Sequence, residues 1–357
     1  MVESTQLWMD FVSSNQTYRE LKDLKERGWN NQDGDRFFEE RRRTASNPTQ
    51  SKRESFYQMT CHVGSGLAEG TDIFKSKSTG LKVLDLGMAP GGFTTAAADN
   101  LLEPLIDGIT LPPQIGGYEV LAKRYCQRII YADITMYSTE MGYEGPIPDG
   151  HPDATRFDTS RPLLDNTYDI VICGGAVGRD HRREGYRQNC EGTRLTVSQM
   201  VFAMNHLTTG GSMVLLLHRV EAWDTVCILH AFNQFSDIQL YKHPKCHAIK
   251  SSFYLVAKNV DLEHPVAKQS VSYWRNLWGY LTFKEFEDVP LPDSDSSLQG
   301  SDDAHVQSMI DDFGPQFQKI AQPVWKCQAK ALRKQPFTKR LQNECSAAIQ
   351  RQIGGVH

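Results

Sequence analysis

The eight cysteines of this chain, Cys61, Cys126, Cys173, Cys190, Cys227, Cys246, Cys327 and Cys345, form no C-x-x-C pair. Histidines lie close to some of them, as His62 to Cys61 and His243 and His247 to Cys246, but no second cysteine stands near to complete a zinc set. That excludes a disulfide scaffold and a structural zinc module, and leaves reduced packing thiols with no metal as the expectation. No apolar run approaches bilayer length, and the opening "MVESTQLWMD" has no basic stretch followed by an apolar core. The expected setting is therefore intracellular and without a membrane, in the cytoplasm, with the nucleus open as well. A surplus of positive charge is also missing. Lys and Arg number 39 against 43 Asp and Glu, a formal net charge of −4, which is not the balance of a protein that grips a long polyanion with its whole surface.

Two local runs depart from that average, "ERRRTASNPTQSKRES" at 40–55 and "GRDHRREGYRQN" at 178–189. Each reads as a solvated face or as a surface for phosphate, carboxylate or a partner. Over its 357 residues the chain is long enough for one substantial core with attached helices. Residues 14–42 read as a polar helix or helix pair anchored by Leu21, Leu24, Trp29, Phe37 and Phe38, and "RESFYQMTCHVGSGL" as a further helix. From 82 onward strands and helices alternate: 82–86, "LEPLIDGITL", "QRIIYADI" and "YDIVICGG" as strands, 191–207 as a helix closed by "TTGG", then "GSMVLLLHRV" as a buried strand. A helix near 221–234 and two late strands in "IQLYKHPKCHAIKSSFYLVAKN" complete the pattern. Such alternation builds an α/β fold, a mostly parallel sheet with helices on both faces. The boundaries drawn are an N-terminal helical extension at 1–55, a core domain at 56–260, a helical extension at 261–286, an exposed linker at 287–304 and a C-terminal helical segment at 305–357, with no internal repeat.

The sharpest signal is "LKVLDLGMAPGGFTTAAADN" at 81–100, an apolar strand ending in an acid, a glycine-rich turn and the start of a helix. A P-loop would need the Walker lysine followed by Ser or Thr, which "GMAPGGFTT" lacks. A dinucleotide loop would present G-x-G-x-x-G to a pyrophosphate. Here Asp85 stands at the strand end, and its carboxylate suits a cationic ligand group better than a phosphate.

"DLGMAPGGFT" resembles motif I of the FtsJ/RrmJ family of S-adenosylmethionine-dependent methyltransferases, over roughly 56–260, with "YDIVICGG" similar to the motif IV strand. The resemblance implies a Rossmann-like class I methyltransferase fold with helical extensions, and S-adenosyl-L-methionine as cofactor. It also implies that Asp85, Gly87, Met88, Ala89, Pro90, Gly91 and Gly92 surround the methionine part of the cofactor, with Phe93 packing over the loop. Thr110 stands near the ribose, and Asp133 of "YADIT" accepts from the adenine amino group; the simpler reading of each Asp is a turn or helix cap.

The family's ribose 2′-O-methyltransferases use a Lys-Asp-Lys-Glu set. Those positions fall here at Gln58, Gly174, Leu216 or Leu217, and Ser252. With no lysine or acid at any of them, other groups at the carboxyl edge of the sheet become the candidates. His218 can take a proton, Arg219 can hold an anionic acceptor, and Lys250 or Ser252 can reach across from the last strand. Arg179, Asp180, His181, Arg182 and Tyr186 form a second acceptor wall, with Asp180 the best substitute carboxylate. The site so read has His218, Asp180 and Lys250 as its catalytic candidates. Its acceptor is a small molecule or other nucleophile in preference to RNA reached through the basic runs, and a cofactor-fold binding protein without activity is the third reading.

Overall fold

Strand β1, Lys82–Leu86, alternates between two separate cores, because successive side chains of a strand leave on opposite faces. Val83 joins Val63, Leu67, Phe93 and Ala97 on one face, and Leu84 and Leu86 join Val171, Met200, Leu215 and Leu229 on the other. A strand buried on both faces needs helices on both faces. The computed structural model supplies them and describes residues 6–29, 35–36, 39, 50–178, 180–290, 302–336 and 338. The basic run at 40–49, Phe37, Phe38, Arg179, most of 287–304 and the tail beyond 338 lie outside the described residues.

Beside β1 run β2, Leu105–Thr110, and β4, Tyr168–Cys173, both parallel to it. Strand β3, Cys126–Tyr131, extends the sheet beyond β2, and β5, Leu207–His218, beyond β4. Strand β7, Ser252–Lys258, is antiparallel to β5, with β6, Asp237–Tyr241, outside it, which gives the order β3-β2-β1-β4-β5-β7-β6. This is the expected Rossmann-like class I methyltransferase arrangement. The order reverses between β1 and β4, where open α/β sheets present ligand crevices at their carboxyl ends.

On the Val83 face lie α3, Gln50–Thr71, and α4, Gly92–Asn100. Gly64 of α3 lets the two helices meet, since a Cβ there would stand 2.6 Å from the Ala96 Cβ. The opposite face is covered by α5, Glu191–His206, α6, Trp223–Phe235, and α7, Pro265–Phe283. Strand β5 begins at Leu207, directly after α5, and not beyond "TTGG" as the sequence suggests. Leu207 pairs with Tyr168 and Ser212 with Ile170, so the intervening residues bulge, with Gly210 at φ 81° donating its N–H to the Val260 carbonyl at 2.8 Å.

The N-terminal helices start earlier than the sequence reading places them, as α1, Gln6–Ser13, and α2, Gln16–Trp29. They pack with α8, Asp303–Leu332, in a shared layer: Trp8 contacts Trp223 and Phe317, and Tyr18 contacts Trp325. The Trp8 indole N–H donates to the Glu221 carbonyl at 2.9 Å, which ties this layer to the start of α6.

Candidate functional site

The loop after β1 is shaped by backbone contacts that only glycine permits. Gly87, at φ 73°, would place a Cβ 2.4 Å from the Gly175 Cα, so the carboxyl ends of β1 and β4 touch backbone to backbone. Gly91, at φ 105°, precedes α4, and Gly92 lies where a Cβ would meet the Thr60 Oγ1 of α3 at 2.2 Å. The Ala89 N–H is directed at the Thr110 Oγ1, 3.3 Å away, and the Leu121 N–H donates to the Pro90 carbonyl at 2.9 Å. Thr110 is thus buried as a brace for this loop. The Met88 side chain is almost fully buried against Gly108 of β2, so it packs beneath the loop.

Asp85 is fully buried. Its Oδ2 accepts from the Thr94 Oγ1 at 2.7 Å, while its Oδ1 has no hydrogen-bond partner among the described residues. Burial pushes its carboxyl up to about 7, against the pull of Thr94. An isolated buried carboxylate is costly, and an ammonium group supplies both the charge and the donors it needs. The residues therefore fit the amino-acid end of S-adenosylmethionine.

Asp133 has partners within the protein. It caps the turn at Ile134–Met136, accepting at Oδ1 from the Thr135 N–H at 3.1 Å and hydroxyl at 2.8 Å, and at Oδ2 from Arg187 at 2.8 Å. Burial opposes its charge, but His181 and Arg187 outweigh burial and hold the carboxyl well below the usual range. Both oxygens are thereby occupied within the protein. Arg187, itself fully buried, also donates to Glu191, and Glu191 accepts from Arg194 at 3.0 Å. Tyr186 donates to Asp153 at 3.0 Å, and Arg156 pairs with Asp153 at 2.8 Å. Of the expected acceptor wall, His181 and Tyr186 are thus drawn toward a buried ion cluster centred on Arg187, while Asp180 and Arg182 are exposed. Asp133, His181 and Glu191 bring three potential metal donors within 4.8 Å of one another, yet the Arg187 guanidinium already bridges the two carboxylates. The pattern Arg187, Glu191, Arg194 at helical spacing carried this signal, and it was not read from the sequence.

His218, Ser252, Tyr254 and Leu216 belong to one face of the paired strands β5 and β7, the face that Asp85 shares with α4. His218 is exposed at the strand end, opposite Ser252. Although part of the residue is exposed, the protein around it strips water from the rest, and that desolvation, then the charges of Lys250, Lys242 and Arg219, lower its pKa, so the imidazole is neutral at pH 7. Lys250 is exposed in the loop just before β7, its N–H donating to the His247 carbonyl at 2.9 Å. The structure therefore brings His218 and Lys250 together. Asp180 is exposed elsewhere, its carbonyl against Gly116 where a Cβ would lie 2.0 Å away. At Gly174 a Cβ would come within 3.3 Å of the Phe93 ring, which packs edge-on against Tyr254 at 5.6 Å.

Residues 64–260 match the family model described as FtsJ-like methyltransferase. No curated protein matches the chain. Among solved structures, similarity is found to a Plasmodium falciparum protein described as a ribosomal RNA methyltransferase, at 17% identity, covering 56% of this chain and 96% of that one with a TM-score of 0.34. TrmN from Thermus thermophilus is similar at 14% identity over 55% of this chain and 48% of its own, with a TM-score of 0.31. Human methyltransferase-like protein 13, in complex with SAH, is similar at 12% identity over 63% of this chain and 90% of its own, with a TM-score of 0.32.

Proposed function

Because the chain belongs to the FtsJ-like methyltransferase family, we propose that it transfers a methyl group from S-adenosylmethionine to a nucleophilic acceptor held at the β4–β5–β7 edge, without the family's usual Lys-Asp-Lys-Glu set. The observation that carries this reading is the Asp85 carboxylate, fully buried at the end of β1 with one oxygen lacking a partner among the described residues. When bound, the cofactor supplies an electrophilic methyl group on a sulfonium and leaves as S-adenosylhomocysteine. Asp85 holds its ammonium group, and Gly87 and Gly175 meet backbone to backbone at the switch point.

Gln58, Gly174, Leu216 and Ser252 offer no lysine or carboxylate at the four family positions. His218, neutral because desolvation and the nearby cations disfavour its charged form, is the general base that takes the acceptor proton. Lys250 stabilises negative charge on the acceptor as that proton leaves. A small acceptor is favoured over RNA because the chain carries a net charge of −4 and, within the basic run at 178–189, Arg187 is fully buried and paired. His218→Ala should lower turnover on a confirmed acceptor by about 100-fold or more, the range of general base catalysis, with cofactor affinity retained. Unchanged turnover in that variant would remove His218 from the mechanism.

A further inference from the structure

Helix α8 presents Lys326 and Lys330 one turn apart, both exposed, and Lys334 follows just beyond the helix end. Facing them is the β6–β7 loop with Lys245, His247 and Lys250. A cavity of about 600 Å³ lies between these walls, with no carboxylate in its lining. That volume suits a ligand of nucleotide size. Among the described residues, Lys245, Lys326, Lys330 and Lys334 enter no ion pair. Like charges one turn apart oppose helix formation, so this row imposes a cost that a counter-charge would relieve.

The walls are built, not loosely apposed. Lys242 is buried and donates its Nζ to the carbonyls of Lys250 at 2.7 Å and Ser252 at 2.6 Å, which consumes loop acceptors that would repel an anion. Gln328 of α8 donates its Nε2 to the Ile249 carbonyl at 3.2 Å, which fastens the loop to the helix. Lys250 is shared between this cavity and the surroundings of His218, so a ligand seated here reaches toward the proposed acceptor edge.

We infer that this cavity binds a small molecule carrying closely spaced phosphates, a nucleoside polyphosphate in chemical class, through lysines that the C-terminal helix brings to the core. That the bound molecule is the methyl acceptor rests on the proposed function; that it binds does not. The test is therefore binding to the full chain with no cofactor present, by calorimetry with uridine triphosphate, inorganic triphosphate, uridine and a short single-stranded oligoribonucleotide.

Uridine triphosphate and inorganic triphosphate should bind with an affinity that falls as salt rises, and uridine should not bind. The triple change Lys326→Gln, Lys330→Gln and Lys334→Gln should abolish binding with the Tm largely retained, because it removes the phosphate contacts together with the like-charge repulsion of the row. Lys330→Gln should reduce the slope of log affinity against log salt by about 1, and Lys268→Glu, on the distant helix α7, should change nothing. The inference is overturned if neither triphosphate binds, if the triple variant binds as well as the wild type, or if the oligoribonucleotide binds while uridine triphosphate does not. Failure of methyl transfer with these bindings intact would strike the proposed function alone.

Discussion

At Asp85, one carboxyl group couples folding, pH and ligand charge. Burial raises its pKa to about 7, whereas an aspartate in an unfolded chain ionises near about 4. Between those values the folded protein keeps a proton that the unfolded chain has lost. Stability contributed at this position is therefore greatest at the acid end and falls as pH rises across the window, by up to about 1.4 kcal/mol per pH unit. Asp85→Asn removes the titration, so urea unfolding should show a smaller loss of stability from pH 5 to pH 8 in the variant than in the wild type. The charged form is the one that attracts an ammonium, so affinity for S-adenosylmethionine should climb through pH 7 in the wild type and stay level in the Asn variant. An identical climb in both would assign the effect to another group. Asp85 was legible in the sequence because an acid followed by a glycine turn at a strand end is a local pattern. The burial of Met88 was not, since it depends on the gap left by Gly108 on another strand.

Between elements, the buried cluster around Arg187 joins the turn after β3, the 178–189 segment and α5. Removing one member of such a cluster leaves the others charged and without compensation. Arg187→Met should destabilise the fold by about 3–5 kcal/mol, while adding Glu191→Met should recover part of that loss. A double-mutant cycle by denaturant unfolding measures this, and additive losses would mean that the two side chains do not act as a pair. The strands and main helices were readable from apolar alternation and spacing. The cluster was not, because its partners lie far apart in sequence: the Asp133 carboxylate meets Arg187 only after β3 and the 178–189 segment have folded together. The start of β5 escaped for a related reason, as glycines that signal a turn in isolation are absorbed into a bulge once Leu207 pairs with Tyr168.

For the molecule as a whole, α1, α2 and α8 wrap the sheet on the α6 side through an aromatic cluster around Trp8 and Phe317, and α8 carries its lysines to the β6–β7 loop. The helical character of both extensions could be read from their spacing. Their shared layer could not, because nothing local links residue 8 to residue 317. The crevice between β1 and β4, with Asp85 and the glycine loop, is where we propose that S-adenosylmethionine binds. Calorimetric titration of S-adenosylmethionine and S-adenosylhomocysteine into the wild type and Asp85→Ala tests it most directly. Saturable binding of both ligands by the wild type and weaker binding of both by the variant are expected; no binding of either ligand to folded wild-type protein would overturn the assignment.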